Sequence, residues 1–416
     1  MKILVLGAGA REHAIVKALI RTGTPAANVI CAPGNAGIAQ DVTCVALNAN
    51  DPAAVTAYAN EQGFDLAIIG PEAPLVAGVS DALRAANIPV FGPSQKAAAL
   101  EGSKSFAKEV MAAAGVPTGM ARECSTMAEV ENAIDEFGAP YVVKADGLAA
   151  GKGVIVTSDR EAALEHARKF IDMGILVEEF LDGQEVSLFF LSDGRTVAPL
   201  SPAQDFKRAY NNDAGPNTGG MGAYSPLPWL PAGFVEEVER TVAQPTIDEL
   251  ARLGEPFVGL LYCGLIVTER GIRVIEFNAR FGDPETQVVL RRLVTPLALL
   301  LRAAATGNLE TAPEPTFSTD VAITVVLASE GYPDTAAPNR PITGLESALE
   351  VEDVEICHAA TAIDGGHLVA TGGRVLSVVS SGKDFHHARK NAYSAIEQIQ
   401  LEGSHYRTDI AKKVAN

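Results

Sequence analysis

The chain has 416 residues, with 51 Asp plus Glu against 33 Lys plus Arg and a formal charge of -18, a balance that excludes a generic nucleic-acid binder, whose phosphate-neutralising surface needs net basic charge. Hydrophobic residues make up 47% of it and charged residues 20%, too apolar for general disorder, and the length suggests about two to four domains. No long uncharged apolar run occurs, the Leu297–Leu301 stretch being flanked by Arg292 and Arg302, so no membrane span is expected.

Met1-Lys2 lead straight into the apolar run Ile3–Leu6, without a signal-peptide core. Cys31, Cys44, Cys124, Cys263 and Cys357 are scattered and nowhere spaced as Cys-x-x-Cys. Neither a zinc site nor a disulfide framework is expected, and a cytoplasmic location is. Residues 1 to 95 alternate β-branched runs with alanine-rich stretches. Ile3–Leu6, Val29-Ile30, Leu66–Ile69 and Val90-Phe91 read as strands; Arg11–Arg21, Pro52–Asn60 and Pro74–Ala86 read as helices. This βαβ rhythm calls for a parallel sheet with helices on both faces.

A second regime starts near Ser103. A helix over Lys104–Ala114 precedes strands at Tyr141–Lys144 and Val154–Thr157, which flank a glycine-rich loop; a helix over Arg160–Ile171 and a strand at Ile175–Glu178 follow. Residues 201 to 233, rich in Pro, Gly and Asn, show no periodicity, and a loop of that length and polarity reads as functional. Strands at Gly259–Thr268 and Val274–Phe277 and a helix over Thr286–Ala305 come next, and Glu310–Thr319 reads as a linker. Strands at Val321–Leu327, Leu368–Ala370 and Val375–Val379 with a helix over Phe385–Gln400 form a small α/β unit.

Two glycine loops are candidate phosphate holders. Gly7-Ala-Gly9-Ala-Arg11-Glu12 follows a strand and opens a helix, but Glu12 stands where a dinucleotide fingerprint has its third glycine. The second strand ends at Pro33-Gly34-Asn35 with no acidic residue for a ribose, so NAD or FAD is disfavoured. A tight turn, or an anion site at the helix start with Arg11 beside it, remains. Gly147-Leu-Ala-Ala-Gly151-Lys152-Gly153 has one residue too few for a Walker loop, and Gly153 replaces its Ser or Thr. It reads either as a hairpin tip whose backbone N–H groups approach an anion, with Lys152 adding charge, or as a solvated turn.

Lys104 and Lys144 fall on elements that should be half buried, where lysine needs an anionic partner. Glu178-Glu179-Phe-Leu181-Asp-Gly-Gln-Glu185 closes an apolar strand and could give backbone hydrogen bonds to a purine edge and a carboxylate to a ribose; taken alone it is equally an acidic turn. In Ile275–Arg280, period two puts Glu276, Asn278 and Arg280 on one strand face. A carboxylate with an amide oxygen suits Mg²⁺, which leaves room for phosphate oxygens, and the arginine could brace a transferred phosphoryl group.

Together these segments resemble the ATP-grasp ligases and, within them, the phosphoribosylamine–glycine ligase (glycinamide ribonucleotide synthetase) family. The resemblance rests on Ala32–Gly37, Gly70–Pro74, Glu101–Lys104, Lys144–Gly153, Pro216–Pro226 and Arg280–Gln287 and runs from Lys2 to about Asp409. Two positions depart from the family pattern: Ala10 and Ala360 stand where glycine is usual. The strand Leu261–Gly264 also lacks the extra metal carboxylate that superfamily relatives often supply.

The resemblance implies an α/β and α+β multidomain fold: an N-terminal parallel-sheet substrate-binding domain (1–102), a central ATP-grasp domain (103–312) with a glycine-rich lid around 145–153, and a small C-terminal α/β domain (320–416). It also implies that ATP, glycine and 5-phosphoribosylamine give ADP, phosphate and glycinamide ribonucleotide through glycyl phosphate, in a step of purine biosynthesis. Lys104, Lys144 and Lys207 would hold phosphates, Gly151, Lys152 and Gly153 would cover them, and Glu178, Glu179, Leu181 and Glu185 would hold the nucleoside. Glu276 and Asn278 would bind Mg²⁺ or Mn²⁺, Arg280 would act at the transferring group, Lys207 and Asp205 would be catalytic with it, and Asp205 is also a candidate for glycine and the phosphoribosylamine. Gly9, Arg11, Asn35, Glu72, Asn217, Thr218, Gly219, Gly220, Met221 and Asp283 are the candidates for glycine and the phosphoribosylamine. The implied partners are small molecules only, with no nucleic acid or membrane, and the implied state is a monomer. A nucleotide sensor without turnover, or another carboxylate–amine ligase or carboxylase, is the alternative; the sensor should lack Arg280 or a metal ligand, and both are present.

Overall fold

The computed structural model describes residues 1–147 and 153–415. It opens with five parallel strands in the order Thr43–Cys44, Val29–Pro33, Ile3–Gly7, Leu66–Ile69 and Val90–Phe91. Ile3 to Leu6 are fully buried, as strands covered on both faces are. Strand order reverses at Ile3–Gly7, so the crevice beyond the carboxyl ends of Ile3–Gly7 and Leu66–Ile69 is the switch point where open α/β sheets take ligands. Gly7-Ala8-Gly9 and Gly70-Pro71-Glu72 emerge there.

The middle of the chain builds two antiparallel sheets. One contains Ala121–Cys124, Ile175–Glu178, Tyr141–Ala145 and Val154–Thr157; the other contains Val197–Pro199, Gln184–Asp193, Val258–Thr268 and Gly271–Asn278. They meet where Thr118 bridges Val274 and where the Lys144 Nζ donates to the Ile275 carbonyl at 3.3 Å. A third sheet, of Gln204–Asp205, Gly222–Ser225, Val321–Ala328, Arg374–Gly382 and Val354–His358, closes the chain.

Three expectations are corrected. Pro74–Ala86 is not one helix: Glu72–Val76 and Val79–Ala85 are parted at Gly78, whose φ of 81° is left-handed. Thr286–Ala305 also divides, into Glu285–Arg292 and Leu297–Ala305, because the chain turns extended at Leu293 and Pro296 cannot continue a helix. Residues 201 to 233 are not a structureless loop: Arg208–Tyr210 pairs with Ala214–Asn217, and Gly222–Ser225 pairs with Val321–Ala328. That segment thus joins the sheet of the C-terminal residues.

The ten-residue strand Gln184–Asp193 was missed. Its run Val186–Leu191 is buried on both faces, so it lacks the alternation that marks a half-buried strand.

Candidate active site

At the N-terminal crevice, Glu12 explains why no dinucleotide fingerprint is present. Its buried carboxylate accepts the Gly9 N–H at 2.6 Å and pairs with the Arg11 Nε at 2.6 Å. A Cβ on Gly7 or Gly70 would lie within 2.5 Å of the Glu12 side chain, so both glycines are required by that carboxylate's place under the turn. The Arg11 Nη1 donates to the Phe281 carbonyl at 3.1 Å and ties the turn to the loop after Arg280. The methyl of Ala10 is buried with Ala14, Cys357 and Val379, in apolar contact with the C-terminal sheet.

Asn35 uses its whole amide on the protein. Its Nδ2 donates to the carbonyls of Ala8 and His358, both at 2.8 Å, and its Oδ1 accepts the N–H groups of Gly37 and Ile38. These four bonds make it a brace between the N- and C-terminal sheets, which corrects the expectation of a substrate ligand.

Between the two middle sheets, the Lys144 Nζ lies 2.8 Å from one oxygen of Glu178, and the Lys108 Nζ lies 3.3 Å from the other. Lys144 and Glu178 are buried, and Lys108 is largely so. Burial opposes charge on Glu178, but Lys144 and Lys108 outweigh it and hold the carboxyl below its ordinary range. Lys108 was not singled out from the sequence, although it lies four residues, one helical turn, after Lys104. The Lys104 Nζ donates to the Gly147 carbonyl at 3.0 Å, and burial lowers its pKa. Glu179 spends its N–H on Met120 and its carboxylate on Arg270 and the Met120 N–H, which leaves its carbonyl for a ligand. Gly153 accepts the Ala145 N–H at 2.7 Å at the stem of the glycine-rich loop. Gly151 and Lys152 lie outside the described residues.

Glu276 and Asn278 stand on the strand Gly271–Asn278, opposite Gly264 and Tyr262. Gly264 leaves room for Glu276, whose Cγ would sit 3.2 Å from a Cβ there. The Lys207 Nζ pairs with Glu185 at 2.8 Å. Asp205, on the strand Gln204–Asp205, is pushed up to about 7, chiefly by burial, with Glu285, Glu185 and Glu276 adding to it against Lys207. One carboxylate and one amide oxygen fit a hard divalent ion whose other ligands are phosphate and water, and no group of three His, Cys, Asp or Glu that could hold a metal occurs among the described residues.

Arg280 is drawn back to the N-terminal residues. Its Nη2 lies 3.0 Å from Glu101 and its Nε lies 3.6 Å from Glu72. Asp283 is held by Arg374 at 3.3 Å and by the Gln287 amide at 2.8 Å. Arg374 also donates to the Gly219 carbonyl at 2.7 Å, which brings Asp283 and the Asn217–Met221 segment together. Thr218 is turned inward, its Oγ1 donating to the Lys207 carbonyl and accepting the Gly220 N–H. Met221 is fully buried and pairs through its backbone with Phe206 and Val326, so it supports the segment and its side chain is in the core.

Beneath them, the Tyr262 hydroxyl donates to the buried Glu285 at 2.5 Å and contacts the Ser187 Oγ at 2.7 Å. Glu101, Glu285 and Arg374 were not assigned from the sequence. The first two lie inside the motif segments Glu101–Lys104 and Arg280–Gln287, which was the available signal; Arg374 had none.

Three family models match the chain in order: the phosphoribosylglycinamide synthetase N domain over residues 1–101, its ATP-grasp (A) domain over 102–286 and its C domain over 322–413. The chain is 64% identical to the phosphoribosylamine–glycine ligase of Leifsonia xyli subsp. xyli over 99% of its own length and 100% of the relative's. It is 58% identical to that of Streptomyces coelicolor over the full length of both. Among solved structures, the phosphoribosylamine–glycine ligase of Thermotoga maritima matches with a TM-score of 0.85 at 31% identity, covering 98% of this chain and 100% of that one. The N5-carboxyaminoimidazole ribonucleotide synthetase of Thermotoga maritima, at 19% identity and a TM-score of 0.65, shares the fold.

Proposed function

Because the chain belongs to the phosphoribosylglycinamide synthetase family, we infer that it is a carbon–nitrogen ligase that uses ATP to join glycine to 5-phosphoribosylamine, giving glycinamide ribonucleotide in purine biosynthesis. The chemistry calls for an activated acid, since a glycine carboxylate does not acylate an amine at neutral pH. In our reading a carboxylate oxygen attacks the γ-phosphorus and ADP leaves. The amine of phosphoribosylamine then attacks the carbonyl of glycyl phosphate, and phosphate departs as the amine loses a proton.

The observation that supports this course best is Lys144, which crosses from one middle sheet to the other while paired with Glu178. Such a lysine is positioned to exchange a carboxylate for a nucleotide phosphate between the two sheets. Lys104 and Lys207 would join it, with Gly151, Lys152 and Gly153 above the phosphates and the Glu178–Glu185 segment along the nucleoside. Glu276 and Asn278 would hold Mg²⁺ or Mn²⁺, which supplies charge neutralisation at the phosphates. Arg280 would steady the transferred phosphoryl group, and Asp205 would lie beside Lys207 at the reacting end. Glycine and phosphoribosylamine would lie among Gly9, Arg11, Glu72, Asp283 and residues 217–220.

The domain limits 1–102, 103–312 and 320–416, a monomeric state and a cytoplasmic location complete this reading. Support for the location comes from the five cysteines, all free; separately, no helix among the described residues is long and apolar enough to cross a membrane.

Labelled glycine tests the mechanism. Glycine carrying ¹⁸O in its carboxylate should deliver one ¹⁸O to each phosphate released, with ADP unlabelled. Unlabelled phosphate would mean that water accepts the phosphoryl group and that glycyl phosphate is wrong. Turnover without glycine or without phosphoribosylamine would instead point to another substrate pair.

A further inference from the structure

Glu101 sits on the short helix Ala99–Gly102, at the end of the N-terminal residues, and its carboxylate reaches the segment that carries Arg280. One oxygen lies 3.0 Å from the Arg280 Nη2, and the other accepts the Ala279 N–H at 2.8 Å. A single side chain therefore fixes both the guanidinium and the backbone one residue before it. The Glu101 side chain is 8% exposed, whereas Glu72, 3.6 Å from the Arg280 Nε, is 44% exposed. The Nη1 of Arg280 donates to the Phe281 carbonyl at 3.2 Å, and its Nε, although buried, has no hydrogen-bond partner.

The guanidinium is thus anchored through Nη2 and Nη1 and keeps an unspent donor at Nε, opposed only by the ion pair with the accessible Glu72. We propose that Glu101 is the positioning residue for Arg280: it holds the guanidinium so that Nε–H faces the transferred phosphoryl group, while Glu72 is the counter-ion that gives way when that group arrives. The proposal rests on the reading of Arg280 as the phosphoryl-group arginine. Electrostatic stabilisation of a phosphoryl transfer depends on donors fixed before reaction, so loss of the anchor should appear in the chemical step. Burial raises the Glu101 pKa against the pull of Arg280, a cost consistent with a carboxylate held for position.

The test is a double-mutant cycle of Glu101→Gln with Arg280→Ala, read by steady-state kinetics and by the rate of the first turnover. Glu101→Gln keeps an acceptor for Ala279 and removes the charge. It should lower kcat about 10- to 100-fold, with the KM for ATP changed less than about threefold. In the Arg280→Ala background it should lower kcat by less than about twofold, because the group it positions is gone. Wild-type kcat for Glu101→Gln, or the same fold loss with and without Arg280, would overturn the proposal. Near-normal kcat for Arg280→Ala alone would instead remove the reading of Arg280. If Glu101→Gln does not yield folded protein by thermal unfolding, Glu101→Asp, which keeps the charge but draws it back by one methylene, takes its place in the same cycle.

Discussion

Arg374, on the strand Arg374–Gly382 of the C-terminal sheet, holds Asp283 of the loop after Arg280, with its Nη2 3.3 Å from the Asp283 Oδ2. Its Nη1 donates to the carbonyls of Asp283 and Gly219, both at 2.7 Å. Burial opposes charge on Asp283, and Arg374 with Arg11 outweighs it, so the carboxyl is held below the usual range. One planar side chain thereby fixes two segments proposed to hold substrate.

Removal of that clamp should loosen the substrate end of the site and spare the nucleotide end. Arg374→Ala is expected to raise the KM for glycine or phosphoribosylamine about tenfold or more, with the KM for ATP within about twofold. Arg374→Lys should recover little, because one ammonium cannot reproduce the forked geometry. Equal changes in all three KM values would mean that Arg374 acts on the fold as a whole.

The metal assignment gives a separate expectation. Glu276→Gln keeps the size of the side chain and removes the only carboxylate of the proposed pair. Turnover should fall by roughly 100-fold or more in a folded protein, as on loss of one electrostatic stabiliser. The Mg²⁺ concentration for half-maximal rate should also rise. Near-normal turnover at low Mg²⁺ would sink the assignment.

What the sequence disclosed depended on how local each signal was. Two-residue spacing places Glu276 and Asn278 on the strand Gly271–Asn278, but that strand ends before Arg280, which turns back to Glu101 and Glu72. Lys144 was legible because an apolar strand carrying one lysine needs a counter-charge, which Glu178 supplies at 2.8 Å. Arg374 was not, since its partners are a carboxylate and backbone carbonyls 91 and 155 positions away. Asn35 entered as a substrate candidate only through the resemblance carried by Ala32–Gly37; that its side chain turns inward depends on His358, on a strand 323 residues later. In the fold, the break at Gly78 was visible as a glycine, yet a single glycine is tolerated in helices and does not by itself announce a stop.

Acid stability should depend on Asp41. His13 accepts the His358 N–H through Nδ1 at 2.8 Å, so its Nε2 carries the proton that it shares with Asp41 at 2.9 Å. Burial pushes the Asp41 pKa up, but His13 and Lys17 outweigh it and bring it down to about 2 from 3.8. A depressed carboxyl pKa contributes stability that is present above the unfolded value and lost as pH falls through the folded one. Asp41→Asn should therefore cost about 1 to 2 kcal/mol at pH 7, allowing for solvent screening. The difference from wild type should fade between about pH 4 and 2, as followed by denaturant unfolding. A gap that persists at pH 2 would show that packing, not charge, holds Asp41.

Asp205 should show the opposite dependence. It faces Lys207 and the carboxylates Glu285, Glu185 and Glu276, and burial with those carboxylates pushes it up to about 7 from 3.8. A carboxyl with a raised folded pKa is at least cost below its unfolded value, and its penalty grows as pH rises through the interval to the folded one. Asp205→Asn, which stays neutral, should match wild type near pH 4 and exceed it by about 1 to 2 kcal/mol at pH 8. Because the variant removes a group placed at the reacting end of the site, it should lose turnover as it gains stability, a pattern expected where an active site holds like charges together. ATP with Mg²⁺ brings compensating cation charge, so it should narrow the stability difference at pH 8. A pH-independent difference between the two proteins, or a variant less stable at pH 8 than at pH 4 relative to wild type, would show that Lys207 keeps Asp205 ionised throughout and that the carboxyl stores no proton.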